Sequence, residues 1–328
     1  MAQDDLSNEN SAFRIPHSAF ARRVLVIAGP TAVGKTALSL GLATALDGEI
    51  VSADSRQIYR HMDIGTAKPT PEEQSCARHH MLDRVDPDAR YTAGQYARDA
   101  KACIDGIFAR GRVPILVGGS GLYLRALLDG LFDEPPSSPE IEEALRRELA
   151  EKGSSSLHRE LARVDAEAAR RIHPHDGQRL VRALSVFRRA GRPMSELWRA
   201  SSAERLDADS MLFGLSRDRA SLYRRIEDRV DRMIELGLVE EVRSLLHMGC
   251  TRDLDALRTI GYREICAFLA GEMALEDAVA RIKRDTRRYA KRQLTWFRRD
   301  QRVRWVEVDD AETEQVVRWI VEEQDPGA

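Results

Sequence analysis

Gly29-Pro30-Thr31-Ala32-Val33-Gly34-Lys35-Thr36 decides how this chain folds. The octapeptide is a phosphate-binding loop: a glycine, four free positions, then Gly-Lys-Thr. Its flanks agree. Residues 24–28, VLVIA, are a short apolar run that predicts a buried strand, and residues 36–45 predict a helix. The glycines let the backbone close around phosphate oxygens with loop N–H groups pointing inward, and the helix N-terminus adds positive partial charge. Lys35 supplies a full charge, and the Thr36 hydroxyl can hold Mg²⁺. The loop predicts a bound phosphate chain without saying which.

The rest of the chain bounds the answer. Its 328 residues suffice for one large domain or two smaller ones. A content of 43% hydrophobic and 32% charged residues is that of a soluble globular protein, and no apolar run is long enough to cross a bilayer. Residues 1–22 are polar and lack the apolar centre of a secretory signal, which predicts a disordered leader and a cytoplasmic protein. Cys76, Cys103, Cys250 and Cys266 lie far apart, so free thiols are expected rather than a zinc site. The net charge of −2 hides an asymmetry: residues 281–299 hold nine basic side chains against Asp285 alone. Such a stripe predicts a polyanionic partner, with a solvated helix face as the alternative.

Strands and helices alternate through the first part. Residues 49–52 and 113–117 read as further strands, and 91–110 and 122–128 as helices. This predicts an α/β fold, a P-loop NTPase-like parallel sheet covered by helices. Its ligands gather at the carboxyl ends of the strands, where the phosphate loop, Asp54 and the turn 118–121 fall. A Pro/Ser-rich stretch at 133–139 reads as a linker. The core is expected over 23–134 and 204–328, with an all-helical insertion over 135–203. Within the returning core, 211–215 reads as a strand, 219–236, 238–247 and 262–269 as helices, and 275–299 as the basic helix. A last strand at 303–308 and a helix near 313–323 complete the reading.

Several segments carry candidate chemistry. Asp54, just past a strand, could bind Mg²⁺, act as a base or cap a turn. Arg225, Arg229 and Arg232 form one row on their helix. They could clamp a polyphosphate, although spacing alone favours surface pairing with Glu227, Asp228 and Asp231. Ile282, Thr286, Tyr289, Gln293, Trp296 and Phe297 trace a mostly apolar face on the basic helix, more consistent with core than with a stacking platform. His173 and His175 flank Pro174, which rules out helical metal-ligand spacing and favours a turn.

Together these segments resemble the tRNA dimethylallyltransferases, also called tRNA isopentenyltransferases. The resemblance runs from about Val24 to Val308 and is carried in order by GPTAVGKT, SADSRQIY, MDIGTAKP, VGGSGLYLRALLDGL, RIHPHDGQRLVRAL, LYRRIEDRVDRM, TIGYRE and YAKRQLTWFR. It implies that the loop holds the pyrophosphate of dimethylallyl diphosphate rather than a nucleotide. The five-carbon group would move to N6 of the adenosine beside the anticodon of tRNA, on its 3′ side. Asp54 is then the general base. Thr31 and an arginine of the Arg225/Arg229 pair stabilise the leaving pyrophosphate, and Lys35 and Thr36 bind its phosphates and Mg²⁺. The implied tRNA contacts are Asp54, Ser55, Arg56, Gln57 and Ser120. They continue with Gln178, Arg179, Leu180, Val181 and Arg182, with Arg258, Gly261, Tyr262 and Arg263, and with Lys291, Arg292, Gln293 and Arg298. The partner is the anticodon stem-loop, the adenosine being flipped out of its stack; no protein partner and no membrane are implied.

Two positions depart from the family pattern. Ser120 replaces a common Thr and keeps the hydroxyl. Glu142 stands where a basic residue is common, which puts that tRNA contact in doubt. The C-terminal zinc finger of eukaryotic relatives is not found, pointing to a bacterial-type form. The rival readings are a P-loop kinase or NTPase, an isopentenyltransferase acting on a free adenine nucleotide, and a non-catalytic RNA-binding module. The first predicts a strand ending in an acid, whereas residues 113–117 lead into glycines. The basic helix argues against the second, and the intact loop with Asp54 against the third.

Overall fold

The structure, a computed structural model, describes residues 22–130, 138–200, 205–308 and 313–323. The expected leader, apart from Arg22, and most of the expected linker lie outside the described residues. The chain divides into two compact units, one of Met1–Leu128 with Asp207–Ala328, the other of Asp129–Leu206.

The first unit is built on six parallel strands. Their sequence order is β1 (Arg23–Ala28), β2 (Gly48–Ser52), β3 (His79–His80), β4 (Val113–Gly118), β5 (Asp209–Ser216) and β6 (Arg304–Glu307). Across the sheet they run β3-β2-β4-β1-β5-β6. β1 lies between β4 and β5, and every residue of its apolar run is buried because helices cover both faces. Helix α1 (Lys35–Leu46) leaves the phosphate loop and packs with α14 (Thr313–Glu322) on one face. There Leu38, Leu42, Val316 and Ile320 meet Leu25, Ile27, Ile115 and Phe213 in a single cluster. Alternation sends Val24 and Val26 to the other face. α3 (Ala93–Ala109) and α4 (Gly121–Leu128) pack there, with Tyr96 stacked on Tyr123 at 4.1 Å and its hydroxyl on Ser52 O. Thr92 and Gln95 form a capping box at the start of α3, and Gly111, at φ 70°, ends it.

The short α2 (Pro71–Cys76) and the two-residue β3 were not legible in the sequence. Pro71 and the Thr70/Glu73 capping box define the first. Two residues carry no measurable periodicity, which hides the second.

The second unit holds α5 (Pro139–Lys152), α6 (Ser154–Val164), α7 (Ala166–Arg171), α8 (Gly177–Ala190) and α9 (Met194–Ala200) around its own core of Leu145, Leu157, Leu161, Leu180 and Leu184. Asp165 is buried and caps twice, accepting from Ala168 N and Ser195 N at 2.9 Å each. His173 and Asp176 lie in a turn before α8, which Asp176 caps through Arg179 N. Four helices complete the first unit: α10 (Arg219–Glu235), α11 (Leu238–His247), α12 (Tyr262–Leu269) and α13 (Leu275–Phe297).

One buried acid ties the sheet to its flank. Glu49 on β2 is 1% exposed and takes His80 Nε2 at 2.6 Å and Arg110 Nε and Nη2 at 2.9 and 2.7 Å. Burial alone would raise its pKa, but the hydrogen bonds from Arg110 and His80 outweigh it and bring the carboxyl down to about 2. A folded-state pKa below the unfolded one stabilises above the unfolded value, and the gain is lost as pH falls from 4.5 toward 2. We expect this carboxylate to contribute about 3 kcal/mol at neutral pH. Glu49→Gln should therefore flatten the acid limb of stability in urea titrations; an unchanged limb would show that the pair is energetically silent.

Candidate functional site

At the carboxyl end of β1 the chain turns through the phosphate loop. Gly29 and Gly34 take φ of 153° and 114°, and a Cβ on Gly29 would lie 2.9 Å from Leu215 O, so only glycine fits. Lys35 Nζ donates to Gly29 O at 3.1 Å and Pro30 O at 2.7 Å. Burial lowers its pKa; nearby Asp54 raises it and Arg229 lowers it further, for a value of about 8.

Two of the three arginines in the row, Arg225 and Arg229, face this loop, while Arg232 is exposed. Arg225 Nε donates to Ala32 O at 3.0 Å and Arg229 Nη1 to Thr31 Oγ1 at 3.3 Å. These loop contacts, rather than the surface pairing favoured by spacing, bring Arg225 and Arg229 to the cavity. Glu227 instead pairs with Arg287 and Asp231 with Lys283, both on α13. Helical spacing gave the row its common face but not its neighbour, because the loop is about two hundred residues away in sequence. Burial, then Arg225, pushes the Arg229 guanidinium below its ordinary value.

Asp54 lines the same cavity, of about 1220 Å³, with Thr31, Lys35, Thr36, Arg225 and Arg229. Ala53 N donates to Val117 O and Ser120 N to Ala53 O, which sews the ends of β2 and β4 together. A Cβ on Gly118 would fall 2.1 Å from Ala53 O, so this seam needs glycine. Asp54 Oδ1 accepts from Arg56 N at 2.8 Å, the turn-capping role, and this leaves the side chain at the cavity wall. Ser120 Oγ accepts from Ser55 N and donates to Ser55 Oγ. Gln57 points inward, accepting from Ser52 Oγ and donating to Ala67 O.

The loop 63–68 closes another side through groups that sequence reasoning did not find. Glu241 of α11 accepts from the backbone N–H groups of Asp63, Ile64 and Gly65 and from Tyr262 Oη. Lys68, its side chain 3% exposed, donates to Asp63, Asp83 and Tyr59 O. Both are charged residues far from their partners in sequence, and no local pattern signals them.

The implied tRNA contacts divide by exposure. Arg258, Arg263, Lys291, Arg292 and Arg298 are exposed. Arg263 bridges Glu264 and Asp285, and Gly261 starts α12 at φ 98°. Tyr262 is fully buried and Gln293 is 6% exposed, so neither side chain offers itself to an external ligand. In the helical unit, Gln178 and Arg179 are exposed, whereas Leu180 and Val181 belong to its core and serve to place their polar neighbours. Glu142 is buried and pairs with Arg146 and Arg182, a structural role for the acid at that position.

A phosphate loop between β1 and α1, on a fully parallel sheet with arginines closing over it, defines a P-loop α/β protein. A family model described as IPP transferase matches residues 57–300, and tRNA dimethylallyltransferase 2 of Geotalea uraniireducens is 50% identical over 293 residues, 88% of this chain and 93% of that protein. The chain belongs to the IPP transferase family. The tRNA dimethylallyltransferase of Geobacter metallireducens is 51% identical over 285 residues, 87% of this chain and 92% of that one. Among solved structures, the full-length tRNA isopentenylpyrophosphate transferase from Bacillus halodurans matches with a TM-score of 0.67 at 38% identity, covering 92% of this chain and 98% of that chain. A eukaryotic dimethylallyltransferase acting on tRNA matches with a TM-score of 0.76 at 28% identity, covering 92% and 78%.

Among the described residues no group of three acidic, His or Cys side chains could hold a metal, and no helix is long and apolar enough to cross a membrane. The lowered Lys35 pKa sets a pH dependence: the ammonium is intact below about 8 and is lost above it. We expect the pyrophosphate affinity of the wild type, relative to Lys35→Arg, to fall above that pH by up to about tenfold per unit. Calorimetry across one buffer series reads the ratio; a flat ratio would mean that Lys35 does not titrate there.

Proposed function

We propose that this protein transfers the dimethylallyl group of dimethylallyl diphosphate to N6 of the adenosine on the 3′ side of a tRNA anticodon, releasing diphosphate. The observation that carries this reading is the convergence of Lys35, Arg225, Arg229 and Asp54 on one cavity. Its positive end suits a diphosphate and its carboxylate suits an amine proton. The names of relatives near 50% identity favour the same reaction. β4 ends at Gly118 and runs on into Gly119 and Ser120, so it offers no acid where a kinase would place one.

The chemistry follows from the residues. The C1–O bond of the allylic diphosphate breaks as the N6–C1 bond forms. Negative charge grows on the leaving pyrophosphate, and Lys35, Arg225, Arg229 and the Thr31 hydroxyl are placed to meet it. The exocyclic amine is a weak nucleophile until its proton leaves, and Asp54 accepts that proton. The donor set fits Mg²⁺, since the Thr36 hydroxyl and the diphosphate are hard oxygen ligands and Mg²⁺ needs few from protein. Thr36 would hold the ion, which would supply charge to the diphosphate. The exposed cations of α12 and α13 bind the anticodon stem-loop, a substrate that places the reaction in the cytoplasm.

Asp54→Asn should lower kcat about 10²–10⁴-fold, the usual cost of a lost general base, while leaving stem-loop affinity near wild type. Mass analysis of nucleosides after incubation with dimethylallyl diphosphate, Mg²⁺ and unmodified tRNA measures it. A fully active variant would remove Asp54 as base; ATP hydrolysis without prenylated nucleoside would favour the kinase reading.

A further inference from the structure

The inner face of α13 carries a polar side chain that the reaction above does not use. Gln293 Oε1 accepts from Thr31 N at 2.9 Å, and Nε2 donates to Gly119 O at 3.0 Å. The two partners are an N–H and a carbonyl, so both ends of the amide are matched in one orientation only. There is no slack. A Cβ on Gly119 would lie 2.1 Å from Nε2, and one on Gly121 would lie 2.2 Å from the Trp296 ring. One turn earlier on α13, Tyr289 lines the same cavity. The helix thus touches both loops that frame the cavity: the phosphate loop through Thr31, and the turn after β4 through Gly119 and Gly121.

We infer that Gln293 is a positioning residue for the diphosphate. Its amide sets the separation between Thr31 and the Gly119-Ser120 turn, and so holds the Thr31 hydroxyl beneath Arg229. The inference rests on the prenyl-transfer reading and assigns Gln293 a task different from the tRNA contact that the family resemblance implies. Burial decides between the two, because a side chain 6% exposed with both polar atoms satisfied offers nothing to an external nucleic acid. The effect of the amide on the reaction passes through Thr31; it touches no reacting atom.

The test compares two affinities in one variant. In Gln293→Ala, the Kd for an unmodified anticodon stem-loop, read by fluorescence anisotropy, should stay within about threefold, while the Kd for inorganic pyrophosphate with Mg²⁺ and the KM for dimethylallyl diphosphate should rise about tenfold, as for one lost hydrogen bond with a dislocated partner. Gln293→Glu keeps an acceptor for Thr31 N and loses the donor to Gly119 O, so it should fall between the two. Gly119→Ala displaces the amide without altering it and should weaken pyrophosphate in the same way. If Gln293→Ala fails to fold, these two variants decide the question. Wild-type pyrophosphate affinity in a folded Gln293→Ala protein overturns the inference, as does loss of stem-loop affinity alone. A wild type that neither binds pyrophosphate nor transfers the prenyl group would instead overturn the functional reading, a result distinct from either.

Discussion

Positive charge held in place by neutral oxygen atoms is the constraint on which the rest of this site depends. Lys35 rests on the carbonyls of Gly29 and Pro30, Arg225 on that of Ala32, and Arg229 on the Thr31 hydroxyl. Burial depresses both Lys35 and Arg229, and cations this close also repel one another: Arg229 lowers Lys35, and Arg225 lowers Arg229. A carboxylate beside each would relieve the repulsion and cancel the field. Carbonyl oxygens fix direction without cancelling charge. The cost of keeping these groups together is met elsewhere, by the sheet and by the burial of α1 and α10 against it. A preorganised field of this kind suits a reaction whose barrier lies in charge developing on a leaving group.

The basic helix α13 divides its labour along its length. In its first half, Lys283 and Arg287 tie to α10, and Arg284 and Arg288 pair with Asp285, which also takes Arg263 from α12. Much of the charge there is spent on packing three helices together. Among the described residues, Lys291, Arg298 and Arg299 have no ion-pair partner, so the end of the helix carries the field available to a polyanion. Cations are also favoured there by the helix dipole. A count of charges from sequence overstates the available field, because Glu227 and Asp231 lie outside the basic segment and become visible only once α10 packs on α13.

Local signals made most of the framework legible. The strand before the loop, the glycine-rich turn after β4 and the basic helix announce themselves through periodicity or composition, with ends displaced by one or two residues, while the helical unit, expected over 135–203, extends over Asp129–Leu206. What stayed hidden depends on long-range pairing. Arg225 and Arg229 looked like surface residues because their nearest acids in sequence are one turn away, while the loop they serve is brought near only by the sheet. Gln293 looked like one polar interruption in an apolar face. Glu241 looked like any helix-surface acid, yet it gathers three backbone donors and a tyrosine hydroxyl. Motif resemblance named the segments that hold Arg225, Arg229 and Gln293, though not that of Glu241, and resemblance of a segment does not say which of its side chains face inward. Leu180, Val181, Tyr262 and Gln293 were implied as contacts and are buried.

The glycines after β4 explain how a phosphate loop can serve hydrocarbon transfer. In a nucleotide hydrolase the neighbouring strand ends in an acid that positions metal and water near the terminal phosphate. Here β4 ends at Gly118 with Gly119 directly after it, and the missing side chains let Ala53 O and the Gln293 amide come close. The acid facing the loop comes instead from β2, as Asp54, on the far side of that seam. Exchanging a strand-end acid for glycine therefore does two things at once. It withdraws the group that would activate water at the phosphate, and it opens room for the Ala53 carbonyl and the Gln293 amide that join the loops around the cavity. Under the proposed reaction the phosphates are what leaves, so a loop that grips them tightly and keeps water from them is better suited than one that helps water attack.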